Sequence, residues 1–328
     1  MKKLINQIDT LLSDSLEGFA LAHHHLIELH RHPYFIRRLQ PTRQGKVALI
    51  SGGGSGHEPL HIGFVGTGML DAACPGQIFT SPTPDQMLAA ATAVENGGGV
   101  LFIVKNYAGD VMNFEIAAEM LDCPQASVLV ADDVALPKNH SIGRRGIAGT
   151  LIMEKILGAA AERGIDLTGC VALANQLNQS MASMGLALTS CTVPALGQPT
   201  FNLAADEIEM GVGIHGEAGR HRQLLTEANL MIEQLMEAIV AEFNSPINPQ
   251  SVLLHVNGYG ATPLMELYLV YQIAFNYLQQ RGIKVIRSLV GNYTTALDMA
   301  GCSITVCILN QTLIELWDDP VKTAHLHW

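Results

Sequence analysis

The sequence predicts an α/β protein of two domains, and three observations carry that expectation. Apolar runs too short for helices (47–50, 100–104 and 127–131) recur with helical stretches between them. Runs without alternation are what strands buried on both faces show, so the order strand, helix, strand implies a parallel sheet with right-handed crossovers. Near residue 183 the texture changes, and downstream Glu207-Ile208-Glu209-Met210 alternates as an antiparallel strand does. Finally, 328 residues suffice for two cores. The expected division is an N-terminal α/β domain over 1–182 with a largely parallel sheet, and a C-terminal α/β domain over 183–328 with a mixed one.

Composition excludes several classes of protein. Hydrophobic residues make up 48% of the chain and charged residues 15%, as in a compact folded protein. The net charge of −11, from 19 basic against 30 acidic residues, argues against nucleic acid as a partner, because phosphate recognition needs a basic face. No apolar run approaches the roughly 18 residues of a membrane span. Met1-Lys2-Lys3 opens like a secretion signal, but Asn6, Gln7 and Asp9 interrupt any apolar core. The six cysteines (Cys74, Cys123, Cys170, Cys191, Cys302 and Cys307) include no C-x-x-C pair. They read as reduced, mostly buried thiols of a cytoplasmic protein, not as disulfides or a zinc site.

In chain order, apolar spacing predicts a helix over 4–22. His23, His24, His25, His30 and His32 follow. Without carboxylates or cysteines at ligand spacing they read as polar surface and not as a metal cluster. A first strand at 47–50 runs into Ser51-Gly52-Gly53-Gly54-Ser55-Gly56-His57-Glu58-Pro59. There the glycines are expected to turn the backbone sharply and let it approach a ligand. The loop is no P-loop, because no lysine follows Gly56, and no nucleophile elbow or dinucleotide fingerprint, because His57 stands where each needs glycine. Short turns are expected over 63–76 and a helix over 84–95. The strand at 100–104 ends in Lys105-Asn106-Tyr107-Ala108-Gly109-Asp110, which places a lysine and a carboxylate at a ligand-binding strand end.

A helix at 114–121, a strand ending in Asp132 and Asp133, and helices over 147–163 and up to about 181 complete the first half. The two acids read equally as a cation site or as partners of Arg144 and Arg145. In the second half, strands are expected at 186–194, 207–210, 252–256, 285–290 and 304–309. Between them come a helix stripe over 224–243, a loop at 244–249, and a helix opened by Thr262 as cap and Pro263. Gly211-Val212-Gly213-Ile214-His215-Gly216 matches Gly-x-Gly-x-x-Gly, but no buried strand leads into it and no helix clearly opens after it. His215, among small neighbours, reads as an accessible functional histidine.

Three stretches together carry a family resemblance: 51–59, 105–110 and 211–217. Ala73-Cys74-Pro75-Gly76, Gly143-Arg144-Arg145-Gly146 and Gly260-Ala261-Thr262-Pro263-Leu264 support them. The chain resembles, over nearly its whole length, the dihydroxyacetone-binding subunits of bacterial dihydroxyacetone kinases, including the phosphotransferase-linked form. The resemblance implies a homodimer and a ketone held as a covalent hemiaminal on His215. It implies that His57 is an acid/base, that Gly54, Ser55, Gly56, Lys105 and Asp110 bind substrate, and that Asp110 takes the proton of the attacking hydroxyl. It places ADP or ATP with Mg on a separate nucleotide-binding subunit, recharged by a phosphohistidine carrier protein, with no cofactor or metal on this chain. The region 220–250 is shorter than the family often has, which bears on docking to that subunit.

A covalent hold suits so small a ligand. Six heavy atoms at about 1.5 kcal/mol each cap non-covalent binding near roughly 9 kcal/mol, and a C–N bond also rejects glycerol, which lacks the carbonyl. Two other readings stay open: a non-enzymatic triose-sensing paralogue that regulates transcription, and a kinase subunit for a four-carbon ketose.

Overall fold

The computed structural model describes residues 2–243 and 251–328; the loop expected at 244–249 lies outside them. The chain folds into two units, each holding one six-stranded sheet. One gathers the chain up to Val130 with Thr150–Gln176 and Glu315–Trp328, the other Ala131–Gly149 with Leu177–Ile314. The cut expected after residue 182 lies near the crossing at Gln176, but the chain also crosses after Val130, Gly149 and Ile314. Sequence texture registers the change from parallel to antiparallel pairing. It carries nothing to say which sheet 131–149 or the last helix serves.

In the first unit, helix α1 spans Leu11–Ala22 and does not reach back to residue 4. The apolar spacing continues to Leu4 and Ile8, but both are exposed, so no packing offsets the cost of further helical turns. The histidine-rich segment forms an antiparallel hairpin, β1 (Ile27–Arg31) with β2 (Tyr34–Arg38). Ile27 and Leu29 are buried while their neighbours are more exposed, an alternation that the histidines obscure. Among the described residues no group of three or more His, Cys, Asp and Glu could hold a metal ion.

The glycine run is not a turn. Strand β3 (Ala48–Ser55) continues through it and pairs in parallel with β4 (Ala72–Ile78), a stretch expected to be turns. The sheet order is β1-β2-β4-β3-β5-β6, with β5 at Val100–Lys105 and β6 at Gln125–Val130. Strands β3 to β6 are mutually parallel. The connection from β4 to β5 passes through α2 (Pro84–Val94) and crosses β3, so the carboxyl end of β3 is a topological switch point. A Thr83/Gln86 capping box opens α2. Helix α3 (Ala108–Glu119) begins well before residue 114, which places Asp110 in its first turn and not in a loop. Ile50, Phe102 and Val104 pack against Met87, Ala91, Phe114 and Ala117 from these helices. Beneath, buried Asp71 accepts from Lys46 at 2.5 Å, Arg38 at 3.0 Å and the Leu49 N–H at 2.8 Å.

Helices α4 (Gly149–Arg163) and α5 (Leu167–Ser180) follow as expected. The strand of the second unit that follows is β7 (Met181–Ala187), earlier than the 186–194 expected. Its residues, Met-Ala-Ser-Met-Gly-Leu-Ala, have no β-branched member, and pairing with β12 overrides their weak strand preference. The order is β11-β10-β12-β7-β8-β9, from β8 (Glu207–Met210), β9 (His221–Leu224), β10 (Ser251–Gly258), β11 (Lys284–Gly291) and β12 (Gly301–Leu309). Only β10 and β11 run parallel, so this sheet is mixed.

Strand β8 is antiparallel as its alternation predicts, but Glu209 is buried and not wet. It accepts from Arg222 at 2.9 Å and from the Gly219 N–H at 2.8 Å. Helices α6 (Ala228–Val240) and α7 (Leu264–Gln280) contribute Leu235, Ile239, Leu267 and Ala274 to the core. Leu224 and Leu225, expected in the first stripe, are exposed. Thr262 is not a cap: its hydroxyl donates to Gly301 O at 2.6 Å and accepts from Gly301 N–H, and Pro263 takes the cap position. Helix α8 (Gln311–Asp318) precedes the tail. All six cysteines are free thiols, and among the described residues no helix is long and apolar enough to cross a membrane.

A Cβ added at Gly52 would stand 2.6 Å from the Cys74 carbonyl oxygen, a backbone atom fixed by the β3–β4 ladder. Gly52→Ala is therefore expected to cost about 1–3 kcal/mol. Urea unfolding checks this as a lowered midpoint at unchanged slope; an unchanged midpoint would mean that the ladder yields.

Candidate active site

The switch point is where an open α/β sheet binds ligands, and it gathers most of the residues singled out from the sequence. Lys105 ends β5 with its side chain buried. Its ammonium lies 3.3 Å from Gly52 O, 3.5 Å from an Asp110 carboxylate oxygen and 2.9 Å from His61 Nε2. A Cβ on Gly53 would collide with that ammonium, so any larger residue there would push the end of the lysine aside. The side-chain space at Gly54 is likewise taken by protein, the backbone of Phe79 and Thr80, 2.5–2.7 Å from where a Cβ would stand. Ser55 donates to Gly76 O at 2.7 Å. The chain turns at Gly56, with φ +104, and its N–H donates to the Glu58 carboxylate at 2.9 Å. His57 follows, buried and stacked on Phe79 at 5.0 Å between ring centroids.

His215 belongs to the second unit. It lies between β8 and β9, in a loop built around buried Arg145. Arg145 donates to Asp133 at 2.7 Å and to Gly211 O at 2.8 Å. This settles the paired acids: Asp133 is an ion-pair partner, while Asp132 accepts the Ile147 and Gly149 N–H groups, each at 2.8 Å, at the start of α4. Arg144 pairs instead with Glu242. Gly211-x-Gly213-x-x-Gly216 joins two strands and opens no helix, so it is not a dinucleotide fingerprint.

Glu217 orients His215. One carboxylate oxygen lies 2.9 Å from His215 Nδ1 and the other accepts the His215 backbone N–H at 2.9 Å. A carboxylate only accepts, so Nδ1 carries a hydrogen, and in the neutral ring the lone pair is on Nε2, as a nucleophile requires. The His215 side chain keeps 20% of its exposure. Burial would raise the Glu217 pKa, but the His215 hydrogen bond, the His215 charge and Arg145 override it and hold the group down at about 2.

Sequence reasoning missed Glu217, Arg145 as the organiser of this loop, and the pair His61 and Glu154. Glu154 had a legible mark: Leu151-Ile152-Met153-Glu154-Lys155-Ile156-Leu157 sets charges in a helix segment that is buried all round.

Because its folded pKa lies below the ordinary 4.5, Glu217 contributes stability that is present above pH 4.5 and lost as pH falls through about 2. A carboxyl NMR titration is expected to find Glu217 ionised down to about pH 2, and His215→Ala to return it toward 4.5. A midpoint indifferent to that substitution would deny the contact.

Known proteins match this architecture. Residues 17–325 match the Dak1 domain. The chain is 43% identical to the dihydroxyacetone-binding subunit of the PEP-dependent dihydroxyacetone kinase of Escherichia coli, covering 100% of this chain and 99% of that one. A solved dihydroxyacetone kinase operon co-activator superposes with a TM-score of 0.88 at 33% identity, over 95% of this chain and 97% of the other. The dihydroxyacetone kinase of C. freundii, solved with AMP-PNP and Mg2+, superposes with a TM-score of 0.87 at 33% identity, over 99% of this chain but 61% of that longer one. With a match over most of its length and a relative this similar from end to end, the chain belongs to the Dak1 domain family.

Proposed function

We propose that this chain is the substrate-holding subunit of a dihydroxyacetone kinase, a phosphotransferase active together with partner subunits. The observation that carries this reading is end-to-end identity of 43% to a subunit of that name. The side-chain chemistry supports it. Nε2 of His215 adds to the ketone carbon as the carbonyl π pair moves to oxygen, and His57 supplies the proton that completes the carbinol. Lys105 and the backbone at Gly54, Ser55 and Gly56 hold the hydroxyls. Asp110 accepts the proton of the hydroxyl that attacks phosphorus, giving dihydroxyacetone phosphate. The roughly two-fifths of the C. freundii kinase that lies beyond this chain's match is consistent with a nucleotide site, ADP or ATP with Mg, on a separate subunit. In this reading the subunit is recharged by a phosphohistidine carrier, and the present chain acts as a cytoplasmic homodimer.

A second reading has its own support. The co-activator shares the fold along almost its whole length, so the same scaffold in a triose sensor is the competing assignment. The presence of Asp110 favours the kinase, because a sensor needs the ketone held but no base for a hydroxyl.

The test is reconstitution with an ADP-loaded nucleotide-binding subunit and a phosphohistidine donor, comparing dihydroxyacetone with erythrulose. Turnover of the triose is expected, and Asp110→Asn should lower it on the order of 10²–10⁴-fold, the usual contribution of a positioned base. Tight ketose binding with no turnover of either sugar would favour the sensor. His215→Ala is expected to abolish the C–N bond in a ketose-soaked crystal; unchanged ketose affinity in that variant would remove the hemiaminal.

A further inference from the structure

Three buried side chains in the first unit, Ser51, His61 and Glu154, have no part in the chemistry above but adjoin Lys105, which has one. His61 Nδ1 lies 2.6 Å from Glu154 Oε1 and 2.9 Å from Ser51 Oγ, and its Nε2 lies 2.9 Å from the Lys105 ammonium. All four side chains are buried. Counting hydrogens fixes the roles. An ammonium only donates, so Nε2 accepts, and a neutral ring that accepts at Nε2 carries its hydrogen on Nδ1. The ring is neutral because burial, then the charges of Lys105 and His57, hold His61 well below its ordinary range. Ser51 gives its single hydrogen to Ile103 O at 2.7 Å, so toward the ring it too accepts.

Of the two acceptors facing Nδ1, Glu154 Oε1 at 2.6 Å is nearer than Ser51 Oγ at 2.9 Å, so the Nδ1 hydrogen goes to Glu154. Burial pushes Glu154 up to about 8. Its Oε2 meets no hydrogen-bond partner among the described residues, so a proton placed there leaves Oε1 an acceptor. Either way Oε1 selects the tautomer that turns a lone pair toward Lys105. Carboxylates elsewhere orient ligand and catalytic histidines in the same manner.

We propose that Glu154 and His61 are a buried positioning pair that fixes the Lys105 ammonium for the hydroxyls of the ketose. Neither touches substrate. Glu154 sets the His61 tautomer, and His61 with Gly52 O and Asp110 gives the ammonium three fixed acceptors. These acceptors face all three hydrogens of the ammonium, and the long 3.5 Å contact to Asp110 is the one a ligand oxygen shares. The assignment to a ketose rests on the function proposed above; the tautomer and the held ammonium do not.

Nitrogen-15 NMR of the histidine- and lysine-labelled wild-type protein reads the pair directly. His61 is expected as the Nδ1–H tautomer, and the Lys105 ammonium as a slowly exchanging resonance. An Nε2–H ring or an imidazolium would overturn the proposal without any variant having to fold. In variants that melt cooperatively, His61→Leu and Glu154→Leu should lose that resonance and weaken dihydroxyacetone binding on the order of 10- to 100-fold. Glu154→Gln, which keeps an acceptor and the volume, should stay within about 3-fold. A lysine resonance unchanged in both leucine variants would also overturn it. If the wild-type protein binds no ketose, the functional reading fails while the tautomer and the ammonium still judge the pair.

Discussion

The ammonium of Lys105 is the constraint on which the first unit turns. Taking such a charge out of water costs several kcal/mol unless acceptors are already in place. The chain supplies them from three elements: Gly52 O from β3, Asp110 from the first turn of α3, and His61 from the segment after β3. Each explains a feature of the sequence that is otherwise odd. Gly53 has no side chain because the ammonium occupies its place. Helix α3 starts early, which brings a carboxylate back toward the strand end. Helix α4 carries Glu154 in a segment that is otherwise almost wholly apolar, because His61 needs an acceptor behind it. The glycine run thus serves the protein's own atoms, by letting a strand pass close to a buried cation and to the Phe79–Thr80 backbone.

The second unit solves a similar problem with a different pair. Arg145 is buried against Asp133 and spends a donor on the Gly211 carbonyl, so the loop that carries His215 is anchored at a charge. A surface loop held only by its own turns would leave the imidazole free to choose its tautomer. Here Glu217 chooses, through its 2.9 Å contact to Nδ1. In both units a carboxylate behind a histidine decides which ring nitrogen carries the lone pair. In one the lone pair faces a protein cation, and in the other it is left on the nitrogen assigned to the ketone carbon.

The fold class and the character of both sheets were legible because unbroken apolar runs and alternating ones report burial on two faces or one. Val100 to Val104 and Glu207 to Met210 show the two cases. What escaped shares a cause: the determinant was a partner far along the chain. Strand β4, with Pro75 and Gly76, is a strand only because β3 lies beside it. Strand β7 has a helical composition and is recruited by β12. The hairpin β1–β2 hides behind histidines, and Leu224 belongs to an edge strand and not to a helix stripe. Of the candidate site, His57, Lys105, Asp110 and His215 stand out in the sequence as polar residues at strand ends or among small neighbours. Their orienting partners do not, since Glu154 is 93 positions from His61 and Arg145 is 66 from Gly211.

The distinction between kinase and sensor also follows from which interactions each function needs. Holding a small ketone requires a nucleophilic nitrogen and fixed donors, and a regulatory relative with the same fold has equal use for both. A phosphoryl acceptor needs one thing more, a base beside the hydroxyl that attacks. Asp110 lies against Lys105, so one carboxylate steadies the cation and faces whatever hydroxyl the cation binds. That arrangement ties recognition to chemistry. Under the proposed assignment, a ligand whose hydroxyl engages Lys105 is already beside the proposed base, and a change that frees the ammonium misplaces both. The Lys105–Asp110 contact, more than the fold, is therefore where an enzyme and a sensor built on this scaffold would diverge.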